Sequence, residues 1–273
     1  PIKSSAASDV YKRQAQTLGW TQTTGQDRDW YLEAALNYQR DFGLHHVSAL
    51  AMYNQNMKYY YSSSGVYAGI PRSYVGFVGR VTYDYNTRYL MDLSIGYNGS
   101  ENFAEGKRFG MFPAGSVGWI ISEEKFMQPL KPYVSYLKLR ASYGIVGNDK
   151  VSDGSRFLYL PDSYTISTGN YGFGATSNNI LVGSKESKVG NPDVTWETAA
   201  KQNYGVDLHF FDSRLKTSFD YFIEHRKDIL ISRQINPGYL AISLPIVNLG
   251  KVDNKGFEVT ARWEDRICLL YTS

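Results

Sequence analysis

Apolar and polar positions alternate with a period of two along most of this chain, and helical periodicity is scarce. In Tyr31–Gln39, residues Leu32, Ala34, Leu36 and Tyr38 share one face, with Glu33, Asn37 and Gln39 on the other. Tyr74–Tyr85 sets Val75, Phe77, Val81, Tyr83 and Tyr85 against Arg80, Thr82 and Asp84. Tyr89, Met91, Leu93, Ile95 and Tyr97 oppose Asp92, Ser94 and Asn98, and Leu137, Leu139, Ala141, Tyr143 and Ile145 oppose Lys138, Arg140 and Ser142. The same pattern returns in Tyr204–Phe210 around Asp207, in Leu215–Ile223 around Lys216 and Asp220, and in Phe257–Trp263 around Glu258 and Arg262. With the less regular His45–Asn56 and Ala114–Ser122, about nine strands are predicted.

Each runs about 9–12 residues, against about 5–6 for an average globular strand. That length suits a tilted crossing of a bilayer. The connections alternate. Arg40–Leu44, Asn86–Thr87 and Phe211–Arg214 are short; Met57–Ser73, Gly99–Pro113, Gly147–Ala200 and Arg226–Lys255 are long. Glu123–Ser135 belongs by parity with the short set, and Ser122-Glu-Glu-Lys could open one helical turn. All long connections therefore leave one end of the strands, as in an outer-membrane barrel with short periplasmic turns and long extracellular loops.

Composition sharpens this picture. Of 273 residues, 15% are aromatic, 23 of them Tyr, and Gly reaches 25 against 9 Pro. Such a chain is neither disordered nor collagen-like, and one Cys excludes a disulfide scaffold. A mean hydropathy of −0.38 is what a lipid face averaged with a wet face and polar loops gives. Tyr83, Tyr85, Tyr89, Phe210 and Phe211 cluster at strand ends, where an interfacial girdle places amphipathic rings. A net charge of +3 without a basic block gives no footprint for nucleic acid.

The two ends fit nothing around them. Asp9–Gln14 can be encoded by GATGTGTATAAGAGACAG, whose reverse complement, read one base later, encodes the closing Cys-Leu-Leu-Tyr-Thr and begins a Ser codon. Residues 1–14 and 268–273 are therefore expected to derive from one short library adapter, with residues 15–267 as native barrel. Cys268 then carries no biology.

Four stretches carry a family resemblance. Tyr97–Met127 reads YNGSENFAEGKRFGMFPAGSVGWIISEEKFM, Leu137–Asn148 reads LKLRASYGIVGN, and Asn248–Val259 reads NLGKVDNKGFEV. Gly190–Ile231, with its Asn-Pro-x-x-x-Trp-Glu, is the fourth. In order and spacing they resemble the SusC/RagA family of TonB-dependent outer-membrane transporters. The resemblance implies an all-β, antiparallel transmembrane barrel of which this chain is a part, about nine to eleven strands. Plugged transporters of this kind have about 22. It also implies import of oligosaccharides or peptides, energised by the TonB complex through N-terminal parts that this sequence does not show. A SusD-like surface lipoprotein would be the lid and outer-membrane lipid the surroundings. The alternatives are a soluble carbohydrate-binding β-sandwich or propeller, and a passive porin-like barrel.

Candidate chemistry is sparse. Arg80, Asp92, Lys138, Arg140, Asp207, Glu258 and Arg262 fall on the polar face, where they could meet substrate or plug. Cross-strand pairing on a wet wall is the simpler role for each. Tyr171 and Phe173, in the Gly169–Gly174 loop, could stack on a ligand at the external mouth. His45-His46 lacks a third ligand at metal spacing, no nucleophile elbow is present, and Glu123-Glu124 lies beside a turn rather than in a cleft. No cofactor and no enzymatic activity are expected.

Overall fold

A computed structural model describes residues 22, 24–60, 69–150, 156–161, 164–166, 171–173, 179–186, 189–232 and 244–264. Both segments expected to be adapter-derived lie outside these residues. The main body is one nine-stranded antiparallel sheet. Its strands are β1 (Asp27–Phe42), β2 (His45–Tyr60), β3 (Arg72–Tyr85), β4 (Tyr89–Ser100), β5 (Phe109–Ile120) and β6 (Val134–Asn148). Four three-residue strands follow in the next connection: β7 (Tyr164–Ile166), β8 (Tyr171–Phe173), β9 (Asn179–Leu181) and β10 (Ser184–Glu186). The sheet resumes with β11 (Glu197–Phe210), β12 (Leu215–Ser232) and β13 (Ile246–Trp263). Within this sheet each strand pairs with the next sheet strand along the chain, β6 being followed by β11, while β7 pairs with β10 and β8 with β9 apart from it. The sheet is open, with β1 and β13 each paired on one side.

Register makes the two faces continuous. Asp41 pairs with His46, His46 with Asp84, Thr82 with Asp92, Asp92 with Ser116 and Ser116 with Ser142. The band carries on through Ser142 with Asn203, Asp207 with Ser218, and Ser218 with Thr260. One face is thus polar across all nine strands. The other carries Leu36, Val81, Leu93, Val117, Leu139, Phe219 and Val259, all well exposed. Leu93 is 47% and Phe219 46% exposed, while Leu208 is half-buried. Among the described residues no second sheet packs on this apolar face, which overturns the sandwich alternative. An exposed apolar face this wide is a membrane face.

Aromatic rows bound that face. Towards the short turns, His45, Tyr85, Tyr89 and Trp119 stand opposite one another on β2–β5, with centroids 4.8, 6.3 and 6.3 Å apart. Towards the other end, Tyr53 meets Phe77 at 4.9 Å and Tyr97 meets Phe109 at 5.0 Å. Tyr89 to Tyr97 is eight steps of about 3.3 Å, which at about 40° tilt gives about 20 Å of height, close to the apolar band of an outer-membrane barrel.

The strands run 12 to 18 residues, longer than the alternation predicted. The long connections shrink accordingly: β5 starts at Phe109, β12 runs on to Ser232, and β13 begins at Ile246. Beyond the membrane both faces are wet, so a strand can continue without alternating. The β12–β13 pair does so across a register shift at Arg226/Ile229, with Asp228 at φ +58°. At the opposite end the Asn86-Thr87 hairpin has both residues at positive φ (+48° and +54°), the geometry of a type I′ turn. The Thr87 amide donates to Asp84 Oδ1 at 2.9 Å, which holds a β-branched residue there. The helical turn expected around Ser122-Glu-Glu-Lys takes the form of two 3₁₀ helices, Ile121–Glu123 and Lys125–Leu130.

Candidate functional site: the polar face and the loop-end cluster

On the polar face the charges are wired across strands. Arg80 Nε donates to Asp92 Oδ2 at 2.9 Å between β3 and β4. Arg140 on β6 crosses β11 to reach β12: Nη2 lies 2.5 Å from Asp220 Oδ2, and Nε 3.3 Å from Asp207 Oδ2. Gly205 makes that crossing possible, since a methyl group there would stand 2.5 Å from Arg140 Cζ. Ser218 completes the network by donating to Asp207 Oδ1 at 3.0 Å. These groups are partly exposed and screened by solvent, so the pairs add little net stability and the network serves to fix side-chain positions.

The remaining polar-face candidates separate. Lys138 makes no ion pair among the described residues and lies over Gly118, on a groove of about 560 Å³ shared with Asp84, Asp92, Arg140, Ser142 and Asn203. Glu258 is exposed on the edge strand, directly opposite Asp220. Arg262 pairs with Glu264 at 2.7 Å near the short-turn end. The structure therefore sets Arg80, Asp92, Lys138, Arg140 and Asp207 along one stretch of wall, with Glu258 beside the Arg140–Asp220 pair on the edge strand and Arg262 apart, near the short turns. Tyr171 is 65% exposed in the β8–β9 hairpin, a two-stranded sheet separate from the wall. Phe173 pairs with Asn179 through the backbone; its side chain lies outside the described residues.

The alternation did not reveal a second constellation, at the loop end. Phe103, Leu158, Val194, Leu230 and Ile246 form a buried apolar cluster, with Trp196 packed on Phe103 at 5.3 Å. These residues come from the β4–β5 loop, both ends of the β6–β11 connection, and the β12–β13 hairpin. The motif residues are its fasteners. Asn191 Nδ2 donates to Ile246 O at 2.9 Å, and Asn248 exchanges bonds with the Thr195 backbone at 2.8 and 3.0 Å. Trp196 Nε1 donates to Arg108 O, and buried Glu197 accepts from Arg226 at 3.1 Å. Arg156 ties in the β2–β3 loop: it meets Glu101 at 2.6 Å and donates to Ile70 O at 2.7 Å and Pro71 O at 3.0 Å. The Asn-Pro-x-x-x-Trp-Glu signature was legible; its use as a clamp needs the third dimension.

At the opposite end, Glu124 accepts from Tyr89 Oη at 2.8 Å and Trp119 Nε1 at 3.2 Å, with Arg88 at 3.6 Å. Those donors, Tyr89 first, hold its carboxyl below the usual carboxylate range.

Comparison with known proteins agrees with this geometry. The family model described as TonB dependent receptor-like, beta-barrel, matches residues 3–272. TonB-dependent receptor P39 of Formosa agariphila is 39% identical over 182 residues, which is 66% of this chain and 16% of that protein. TonB-dependent receptor SusC of Bacteroides thetaiotaomicron is 31% identical over 186 residues, 67% of this chain and 18% of its own length. The chain thus spans less than a quarter of either relative. Among solved structures, the RagAB peptide transporter superposes with a TM-score of 0.68 at 18% identity, over 86% of this chain and 27% of that one. The siderophore receptor PirA of Pseudomonas aeruginosa gives 0.54 at 12% identity, over 86% of this chain and 39% of that one. A two-faced open wall, ringed by aromatics and matched by the family model almost end to end, identifies the chain as a member of the TonB-dependent receptor-like β-barrel family of the bacterial outer membrane, akin to SusC and RagA.

Proposed function

We propose that the chain is part of the barrel of an active importer that takes up oligosaccharides or peptides across the outer membrane. In this reading the apolar face meets lipid and the polar face lines the lumen. A SusD-like lipoprotein covers the loop end, and the TonB complex acts through other parts of the full protein. The single observation that carries the reading is the polar face. It is continuous over nine strands, and Arg80–Asp92 and Arg140–Asp207–Asp220 pair their charges across it. Relatives named for SusC and RagAB support the nutrient class. The wall charges Arg80, Asp92, Lys138, Arg140, Asp207, Glu258 and Arg262 are lumen-facing in this reading, and Tyr171 and Phe173 meet ligand or lid outside.

The test is uptake by cells carrying the full-length receptor, with and without an intact TonB complex and the adjacent lipoprotein. TonB-dependent accumulation of a labelled oligosaccharide or peptide is expected. Accumulation that survives loss of TonB would make the barrel a passive pore. The adapter reading of residues 1–14 and 268–273 is tested separately by the coding DNA: codons other than the adapter's at Asp9–Gln14 contradict it.

A further inference from the structure

At the short-turn end of the apolar face one charge breaks the pattern. Arg40 on β1 shares its face with Leu36 and Tyr38, pairs with Val47 on β2 and is exposed. Its guanidinium carbon lies 4.9 Å from the centre of the Phe42 ring, towards the turn, and it makes no ion pair among the described residues. An arginine beside lipid is tolerated where its head reaches the interface, and there it attracts an anion. Directly opposite Phe42 stands exposed His45, whose Nδ1 is 2.8 Å from Tyr83 Oη on β3. Whichever of the two donates, the pair keeps one N–H or O–H unspent.

Carboxylates near this end are engaged elsewhere. Asp41 and Asp84, on the polar face, bond His46 and the Thr87 amide, and Glu124 is held by Tyr89 and Trp119 on β4 and β5. A cation with a neutral donor and no free anion suits a phosphodiester of net negative charge. The ammonium of a zwitterionic headgroup would find no partner here.

From this charge a groove runs into the membrane. Ala49, Ala51 and Gly79, small residues of β2 and β3, form its floor between Leu36 on β1 and Leu93 on β4, and it measures about 550 Å³. A second hollow of about 500 Å³ continues it past Ala51 to the Tyr53–Phe77 ring pair. From Val47, opposite Arg40, to Tyr53 is six steps of about 3.3 Å, or about 15 Å of depth at about 40° tilt. That is half of a hydrocarbon core of about 30 Å, the depth of one leaflet.

We propose that Arg40, His45 and Tyr83 hold the phosphate of one anionic phospholipid of the periplasmic leaflet, with a tail lying in the Ala49–Ala51–Gly79 groove. Such a lipid fixes the depth of the β1–β2 hairpin in the bilayer. The site is on the face turned away from the polar wall and is independent of the importer reading.

Because β1 gains a second neighbour in a closed barrel, the test uses the full-length receptor. A bimane label at Met91→Cys, opposite Tyr83, reports on lipid at the site. The receptor is placed in phosphatidylcholine vesicles containing tail-brominated phosphatidylglycerol or phosphatidylethanolamine at equal mole fraction, and quenching is converted to relative association constants. Phosphatidylglycerol is expected to be preferred about tenfold, and Arg40→Gln to bring the two lipids within about twofold. Ala51→Phe keeps the face apolar but fills the groove, and is expected to weaken phosphatidylglycerol association about fivefold. Equal association of the two lipids with the parent, an undiminished preference in Arg40→Gln, or unchanged phosphatidylglycerol association in Ala51→Phe overturns the site.

Discussion

The wall and the loop end are made on different principles. In the wall, side chains on both faces remain open within this chain, and the apolar ones are among the most exposed: Leu36 is 73% and Val117 57% exposed. At the loop end, Phe103 is completely buried and Val194 nearly so. The wall's apolar face is covered from outside the sheet, by lipid, and its polar face meets water. The loop end builds a small core of its own, as a soluble domain does. Stability there depends on packing, whereas in the wall it depends on which solvent each face meets.

Substitutions that respect one principle and violate the other separate the regions. Phe103→Ala empties the centre of the loop cluster and should cost it about 3–5 kcal/mol. Protease sensitivity of the β6–β11 connection and faster hydrogen exchange there are expected, with the heat-modifiable mobility of the barrel retained. Loss of the barrel itself would mean the two regions are one unit. Leu93→Arg places a charge on the lipid face and should cost about 2–4 kcal/mol of insertion energy, read as reduced folding into vesicles. Ser94→Glu, a charge one residue along on the polar face and opposite Arg80, should fold nearly as well as the parent. Equal defects would erase the distinction between faces.

Smaller effects test the clamps. Glu101→Gln removes the anion facing Arg156, whose backbone acceptors Ile70 and Pro71 remain, so about 1–3 kcal/mol of loop docking should be lost. Exchange of the β2–β3 loop should rise while β3 itself stays protected. Smallest is the pH response at the short-turn end. The folded carboxyl of Glu124 titrates below its ordinary range, so its contribution is complete above that range and fades as pH falls through the lowered value. Tryptophan emission that differs between parent and Trp119→Phe should change over that acidic interval only while Glu124 is present; Glu124→Gln should flatten it.

How much the sequence disclosed follows the same division. Alternation exposed the wall because one residue's step swaps lipid for water, and Leu93 beside Asp92 and Ser94 carries that signal directly. It said nothing of the loop core, since Phe103, Leu158, Val194 and Ile246 come from separate irregular segments. Strand ends were missed for a related reason, as β12 beyond Arg226 has no lipid face to pattern it. Of the candidate site, Arg140, Asp207 and Asp92 were legible as polar-face residues. The reach of Arg140 to Asp220 was not, because it depends on the bare backbone of Gly205 one strand away.

The central claim is that one face of this sheet meets lipid and the other water. Spin labels placed singly along β4 of the full-length receptor in bilayers test it most directly. At positions 91, 93 and 95, collision with lipid-soluble oxygen is expected to exceed collision with a water-soluble nickel chelate, and at 92, 94 and 96 the order should reverse. Accessibility that fails to alternate, or six positions all shielded from both reagents, would contradict the account.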